Sequence, residues 1–265
     1  MPENKYNQQN HSESPPPNDK LEAGDIVAAS PALRWLDNFW YHYKWTFIIV
    51  VFFIFIGIVC LVQFLTRPSY DTSLVYAAAY RMNNEERAEF EDLLNRFCPS
   101  DFNEDDEKRV NLVVYQIYSE AEYESESEAY AAETNEDGEP NAFHINRQYN
   151  SDEYKNLNSY TLTGETSVYI LSPYLYGTLM ESERLKPLSE IYTDGNLPQG
   201  AMADGFGIRL SETDFYKYNP AAQVLPENAI ICLHRPTLAG RGKNAELYAD
   251  DVAFFKAIVD FNVKE

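Results

Sequence analysis

The sequence predicts an α/β protein: an N-terminal transmembrane helix followed by a single domain on a mostly parallel sheet. Three observations predict it. Residues 46–65 form an uninterrupted apolar run without a charge. Beyond it, short β-branched and aromatic stretches alternate with segments whose apolar residues recur at helical spacing. The first such alternation, strand then helix then strand, fits within about 45 residues, the scale of a βαβ unit with parallel strands and a right-handed crossover.

The apolar run reads TFIIVVFFIFIGIVCLVQFL, and only Thr46 and Gln63 in it are clearly polar. Twenty residues make a helix about 30 Å long, the thickness of the hydrocarbon core, whereas strands buried in soluble cores stop near eight. Its Phe, Ile, Val and Leu residues together favour insertion by roughly 5 to 10 kcal/mol. Trp35, Phe39, Trp40, Tyr41, Tyr43 and Trp45 precede it, and rings of this kind settle at the headgroup level. Residues 46–65 are therefore the expected span and 33–45 an interfacial aromatic segment.

A cleaved signal is not expected. The run exceeds a signal core in length, and no small-x-small site follows before Arg67 and Pro68. Gly57-Ile58-Val59-Cys60 resembles a lipobox only in its cysteine. Arg34 and Lys44 on one side nearly balance Arg67 and Arg81 on the other, so orientation follows from a short polar tail preceding a long domain. The expected topology is single-pass in the cell membrane, with the N-terminus cytoplasmic and residues 66–265 extracellular. The tail, 1–32, is rich in Gln, Asn, Ser and Pro, a composition that remains disordered.

In the outer part, 73–79 (SLVYAAA) reads as a buried strand. Asn83 with Glu86 is a capping box, and Phe90, Leu93, Leu94 and Phe97 share one helical face. Residues 110–118 (VNLVVYQIY) form the next strand. The acidic stretch 119–141 reads as an inserted solvated loop or weak helix. Glu133, Asn135, Asp137 and Gly138 mimic a calcium loop, but Glu stands at its first position and His144 at its twelfth, so no calcium site is expected there. Residues 151–162 are polar with helical character. Residues 167–171 (SVYIL) form a strand ended by Ser172-Pro173, where proline opens a helix carrying Leu175 and Leu179. Residues 206–210 and 229–234 are further strands, and Tyr248, Val252, Phe255 and Val259 line a closing helix.

Composition narrows the function. A formal net charge of −21 opposes nucleic-acid binding, which requires cations against phosphates. Cys60 lies in the apolar run, leaving Cys98 and Cys232, too few for a disulfide framework and without metal or redox spacing; free buried thiols are expected. No nucleophile with its base, metal cluster or phosphate loop has workable spacing, so neither an enzyme nor a cofactor or metal is expected. Asp204-Gly205-Phe206-Gly207 lacks the companion motifs of a kinase. Gly240 and Gly242, in a basic loop, suit an anion nest. His234 ends the strand 229–234 beside Arg235, at the edge where α/β sheets bind ligands, and Tyr169, Tyr174 and Tyr176 gather near the end of the strand 167–171. These five are the candidate ligand-binding residues.

Residues 162–191 (LTGETSVYILSPYLYGTLMESERLKPLSEI) resemble a segment of the extracellular solute-binding proteins of ABC importers, in which a glycine turn leads to a strand, a helix and a Pro-Leu turn, here Leu185-Lys186-Pro187-Leu188. The upstream strand, helix and strand are similar to the opening of that fold's first lobe. Thr166-Ser167 stand where the family carries Pro-Asp, the anchor is a helix rather than a lipid, and the length matches one lobe. NFWYHYKW before the span resembles the anchors of single-pass envelope proteins of Gram-positive bacteria. The resemblance implies a membrane-anchored, non-enzymatic extracellular module binding a small ligand or peptide. The alternative is an envelope protein–protein interaction or assembly component without a small-molecule ligand, its acidic insert meeting a basic partner.

Overall fold

A computed structural model of the chain describes residues 31–66, 69–132 and 146–263. They fall into two units that divide between Arg67 and Pro68. In the first, the expected interfacial and spanning segments are one continuous helix, α1 (Pro31–Leu65, 35 residues). The most apolar window of its stretch Asn38–Leu65 has a mean hydropathy of 3.2 and is not buried against protein, so the stretch is long and apolar enough to cross a membrane. Trp35, Phe39 and Tyr43, four residues apart, stack with ring centroids 5.5 and 5.6 Å apart. The aromatic segment thus continues the helix rather than forming a separate piece. Of the tail expected to be disordered, residues 1–30 lie outside the described residues.

The second unit runs β1 (Thr72–Ala78), α2 (Asn84–Phe97), β2 (Val110–Gln116), α3 (Glu120–Ala132), α4 (Arg147–Thr163), β3 (Val168–Leu171), α5 (Pro173–Glu181), β4 (Gly207–Arg209), α6 (Asp214–Tyr218), β5 (Ile230–Leu233) and α7 (Ala245–Val259), with short 3₁₀ turns between. The sheet order is β2-β1-β3-β5-β4. β1 pairs in parallel with β2, Thr72 opposite Val110, and with β3, Leu74 opposite Val168. β5 runs antiparallel to both β3 and β4. The expectation of a mostly parallel sheet holds for β1, β2 and β3 and fails at the two pairings through β5, so the sheet is mixed.

Successive side chains point to opposite faces of a strand, and here both faces are covered. Leu74, Tyr76, Val168, Ile170, Ile231 and Leu233 pack on one face with Phe90, Leu93 and Leu94 of α2 and Phe254, Phe255 and Ile258 of α7. Val75, Ala77, Tyr169, Leu171, Ile230 and Cys232 pack on the other with Leu157 of α4 and Leu175, Tyr176 and Leu179 of α5. This explains why the strands read as unbroken apolar runs rather than alternating ones. Cys98 and Cys232 are free and buried, on opposite faces. Burial, aided by the Asp71 carboxylate, pushes the Cys98 thiol up to about 11.

Local signals set the ends. Asn83 accepts from the backbone of Glu85 and Glu86 while Glu86 returns a bond to the Asn83 N–H, completing the expected capping box. Pro173 opens α5 behind the Ser172 cap. The acidic insertion, expected as a solvated loop or weak helix, is helical over Glu120–Ala132; the calcium-loop mimic at 133–144 lies outside the described residues. On the open edge of β2, the Val110 N–H donates to Asn95 Oδ1 at 2.7 Å and Arg87 donates to the Leu112 carbonyl at 2.9 Å. Two side chains of α2 thus occupy part of an edge that would otherwise template pairing with another strand.

Candidate functional site

A cleft of about 490 Å³ opens where β1, β2 and β3 end, within the ~300–1,000 Å³ range of small-ligand sites. Its floor and rim follow from the strand ends. Ala78, Ala79, Tyr80 and Arg81 continue β1, Gln116 and Tyr118 close β2, and Ser172 follows β3. Glu122, Ser125 and Glu126 enter from one face of α3, spaced i, i+3, i+4. Pro226 and Asn228 complete it from the segment before β5, because the antiparallel β5 begins at the edge where β3 ends.

The position has a topological cause. The chain leaves β1 through α2 to β2 on one side, crosses through α3 and α4 to β3 on the other, and leaves β3 through α5, with α2 and α5 on opposite faces of the sheet. The connections after β1 and β3 therefore diverge, and a crevice opens at the carboxyl ends of the strands.

The rim is held by polar bonds that leave several side chains unspent. Gln116 Nε2 donates to the Ala79 carbonyl at 3.1 Å and to the Tyr118 hydroxyl at 2.7 Å. The Tyr76 hydroxyl donates to the Tyr80 carbonyl at 2.9 Å. Asn150 of α4 bonds both the N–H and the carbonyl of Tyr118. Ser119 donates from its backbone N–H and hydroxyl to one oxygen of Glu122, which fixes the start of α3 and turns its acidic face. Burial, then Glu126 and Glu122 in part, raise the Tyr118 phenol above its ordinary value, so the hydroxyl stays protonated beside two carboxylates.

None of the five residues expected from sequence lines this cleft. His234 follows β5, and since β5 is antiparallel it lies at the opposite edge of the sheet: Val168, the first residue of β3, pairs with Leu233. It is 6% exposed. Its Nδ1 lies 2.6 Å from the Arg235 carbonyl, which makes Nδ1 the protonated nitrogen. Its own carbonyl accepts from the Tyr248 hydroxyl at 2.9 Å. Arg235 shares that far edge, 3.5 Å from Glu190. Tyr169 is fully buried within β3, and Tyr176 is buried with its hydroxyl donating to Asp204 at 2.7 Å. Tyr174 is exposed on α5. Gly240, at φ +57°, is packed closely against the backbone of Thr163 and Gly164.

The cleft residues that sequence reasoning missed lie within a few positions of the ends of β1, β2 and β3. The rule that pointed to His234 finds them once it is applied to the first three strands; α3 and Asn228 carried no such signal. Among the described residues no group of three or more His, Cys, Asp or Glu is placed to hold a metal. The acidic loop after α2 spends its carboxylates internally: Asp101 accepts from the Asp105 and Asp106 N–H groups and Asp105 from Glu107.

His234 instead makes a prediction about stability. Burial, with the nearby Arg184 charge adding to it, pushes its imidazole below the ordinary value. The unfolded chain therefore takes up a proton, on falling below about pH 6.5, that the folded chain refuses. Its contribution is intact above that pH and is lost as pH falls, with a slope approaching about 1.4 kcal/mol per unit. Urea unfolding of the wild type and of His234→Gln at pH 7.5 and 5.5 should show the wild type losing more stability on acidification. Equal losses would place the titrating group elsewhere.

A second groove, of about 220 Å³, separates α4 from α5 over Leu157, Leu175 and Leu179, and is bridged by Arg184 to Asn158 at 2.8 Å. Comparison with protein-family models, curated proteins and solved structures finds no match to this chain.

Proposed function

We propose that this chain is a membrane-anchored binding protein, non-enzymatic and similar to one lobe of a solute-binding protein, which presents the cleft at the ends of β1, β2 and β3 to a small ligand or peptide outside the cell. One observation carries the reading: the cleft lies where the connections diverge on either side of β1, with a ligand-sized volume and a rim mixing aromatic, amide and charged groups. α1, long and apolar enough to cross a membrane, supplies the anchor, and in this reading the α/β domain lies outside. The described rim offers charged, amide and phenol groups suited to hold a bound molecule, and the Ser172 hydroxyl is engaged in capping α5.

The test uses the full chain in detergent micelles or nanodiscs, melted against a panel of free amino acids, dipeptides and simple sugars. A ligand at about a hundred times its Kd adds about 2.7 kcal/mol, roughly 5 to 10 °C for a domain of this size. Ser125→Trp places an indole in the cleft from an exposed helix position. It should abolish that shift and leave the melting temperature of the free protein within about 2 °C, as surface substitutions do. A flat response across the panel would overturn the reading in favour of an envelope interaction component, for which the exposed acidic face of α3 is the available surface.

A further inference from the structure

The charges in the cleft point to a class of ligand. Acidic residues outnumber basic ones 42 to 21 in this chain, so a partner is close at hand for almost any arginine. Arg87, Arg96, Arg109, Arg147, Arg209 and Arg235 each meet a carboxylate, and Arg184 meets the Asn158 amide. Arg81 is the exception among the α/β-domain arginines whose side chains are described: it makes no hydrogen bond or ion pair among the described residues, and it lines the cleft. Glu126 lines the same cleft, likewise without a hydrogen bond or ion pair among the described residues, and it does not close onto Arg81. It shares the cleft with Glu122 and the Tyr118 hydroxyl.

Two opposite charges that share a crevice and stay apart are complementary to a molecule carrying both signs. We propose that the cleft takes a small zwitterion of the α-amino-acid type, free or at the end of a short peptide. The ligand carboxylate meets the Arg81 guanidinium and the ammonium meets Glu126, with the open oxygen of Glu122 beside it. Gln116 and Asn228 supply neutral partners, and the rings of Tyr80 and Tyr118 supply aromatic surface. Each contact replaces water on an exposed charge with a charge-assisted bond, and an arginine fork matches a carboxylate in two places. A ligand of one sign satisfies one end and leaves the other facing a like charge, which is how the site discriminates.

This inference rests on the cleft being a binding site, and the experiment separates the two. The full chain in nanodiscs is titrated calorimetrically with each of the twenty protein amino acids, with glucose and maltose, and with the N-acetylated and C-amidated forms of whichever amino acid binds. The expected result is binding of at least one free amino acid, weakened about tenfold or more by either blocking group. Arg81→Ala should weaken the free amino acid by a similar factor and leave the C-amidated form unchanged. Glu126→Gln should do the same for the free amino acid and spare the N-acetylated form. If the blocked forms bind as well as the free one, the charge assignment is wrong. If only a sugar binds, and Ser125→Trp removes it, the cleft is a binding site for neutral ligands and the zwitterion is overturned. If nothing in the panel binds, both readings fall together.

Discussion

Replacing Asp71 with alanine should be among the most damaging single changes in the α/β domain, costing about 3 to 5 kcal/mol. Asp71 stands directly before β1 and is 1% exposed. One of its oxygens accepts from the backbone N–H groups of Phe102 at 2.6 Å and Asn103 at 3.1 Å, and the other from Arg109 at 2.8 Å. Its own N–H donates to the Arg109 carbonyl at 2.9 Å. One carboxylate thus organises the whole return from α2 to β2. Alanine leaves three donors without their acceptor, at about 1 to 3 kcal/mol for each that water does not reach. In a domain of this size that is a fall in Tm of roughly 10 °C. Asp71→Asn keeps the shape but turns an amide NH₂ toward N–H donors, so it should lie between wild type and alanine. Thermal and urea unfolding of the full chain in micelles measure both, and an alanine variant within 1 kcal/mol of wild type would show the loop held by other means.

Gly207→Ala should cost about 2 to 3 kcal/mol, for a reason that is steric and not conformational. A Cβ at this position would lie 2.6 Å from Ile230 Cγ2 and 2.7 and 2.9 Å from two ring carbons of Tyr176. Overpacked cores lose about 1 to 3 kcal/mol. The upper part of that range applies because Tyr176 is pinned through its hydroxyl to Asp204. β4 also has little room to withdraw, since it is bonded on one side to β5 and bridged on the other, Ala201 to Ile208. The mechanism predicts non-additivity. In a Tyr176→Leu background, where the ring is absent, the same glycine substitution should cost markedly less, and equal costs in the two backgrounds would remove the ring from the explanation. The letters around Gly207 resemble a kinase motif in sequence; in the structure this glycine makes room for a tyrosine.

Much of the architecture was legible from residues alone, because its causes are local. The strands β1, β2, β3 and β5 appear as apolar runs within two residues of their bounds, and the Asn83 box and the Ser172-Pro173 junction mark the starts of α2 and α5 correctly. The helix α3 was harder. Its thirteen residues contain alanine and two tyrosines among acids and show no apolar stripe, so periodicity had nothing to register. It starts where Ser119 and Glu122 bond each other, a local cue hidden inside an acidic run.

The five candidate residues and the cleft lie apart for a different reason, and it separates what the chain's letters determine from what only folding decides. By itself the sequence determined the apolar helix, the α/β class and the order of elements, because hydrophobic transfer, periodicity and capping act between residues close in the chain. The direction of β5 was decided only by its partners. A short strand buried on both faces, such as IICL, carries the same apolar pattern read from either end, and its pairing with β3 joins residues as distant in the chain as Val168 and Leu233. That one direction sends His234 and Arg235 to the far edge and brings Asn228 to the near one. The conjunction of Arg81, Glu126 and Tyr118 in one cleft likewise exists only after the sheet has assembled, since no short-range interaction links the ends of separate strands.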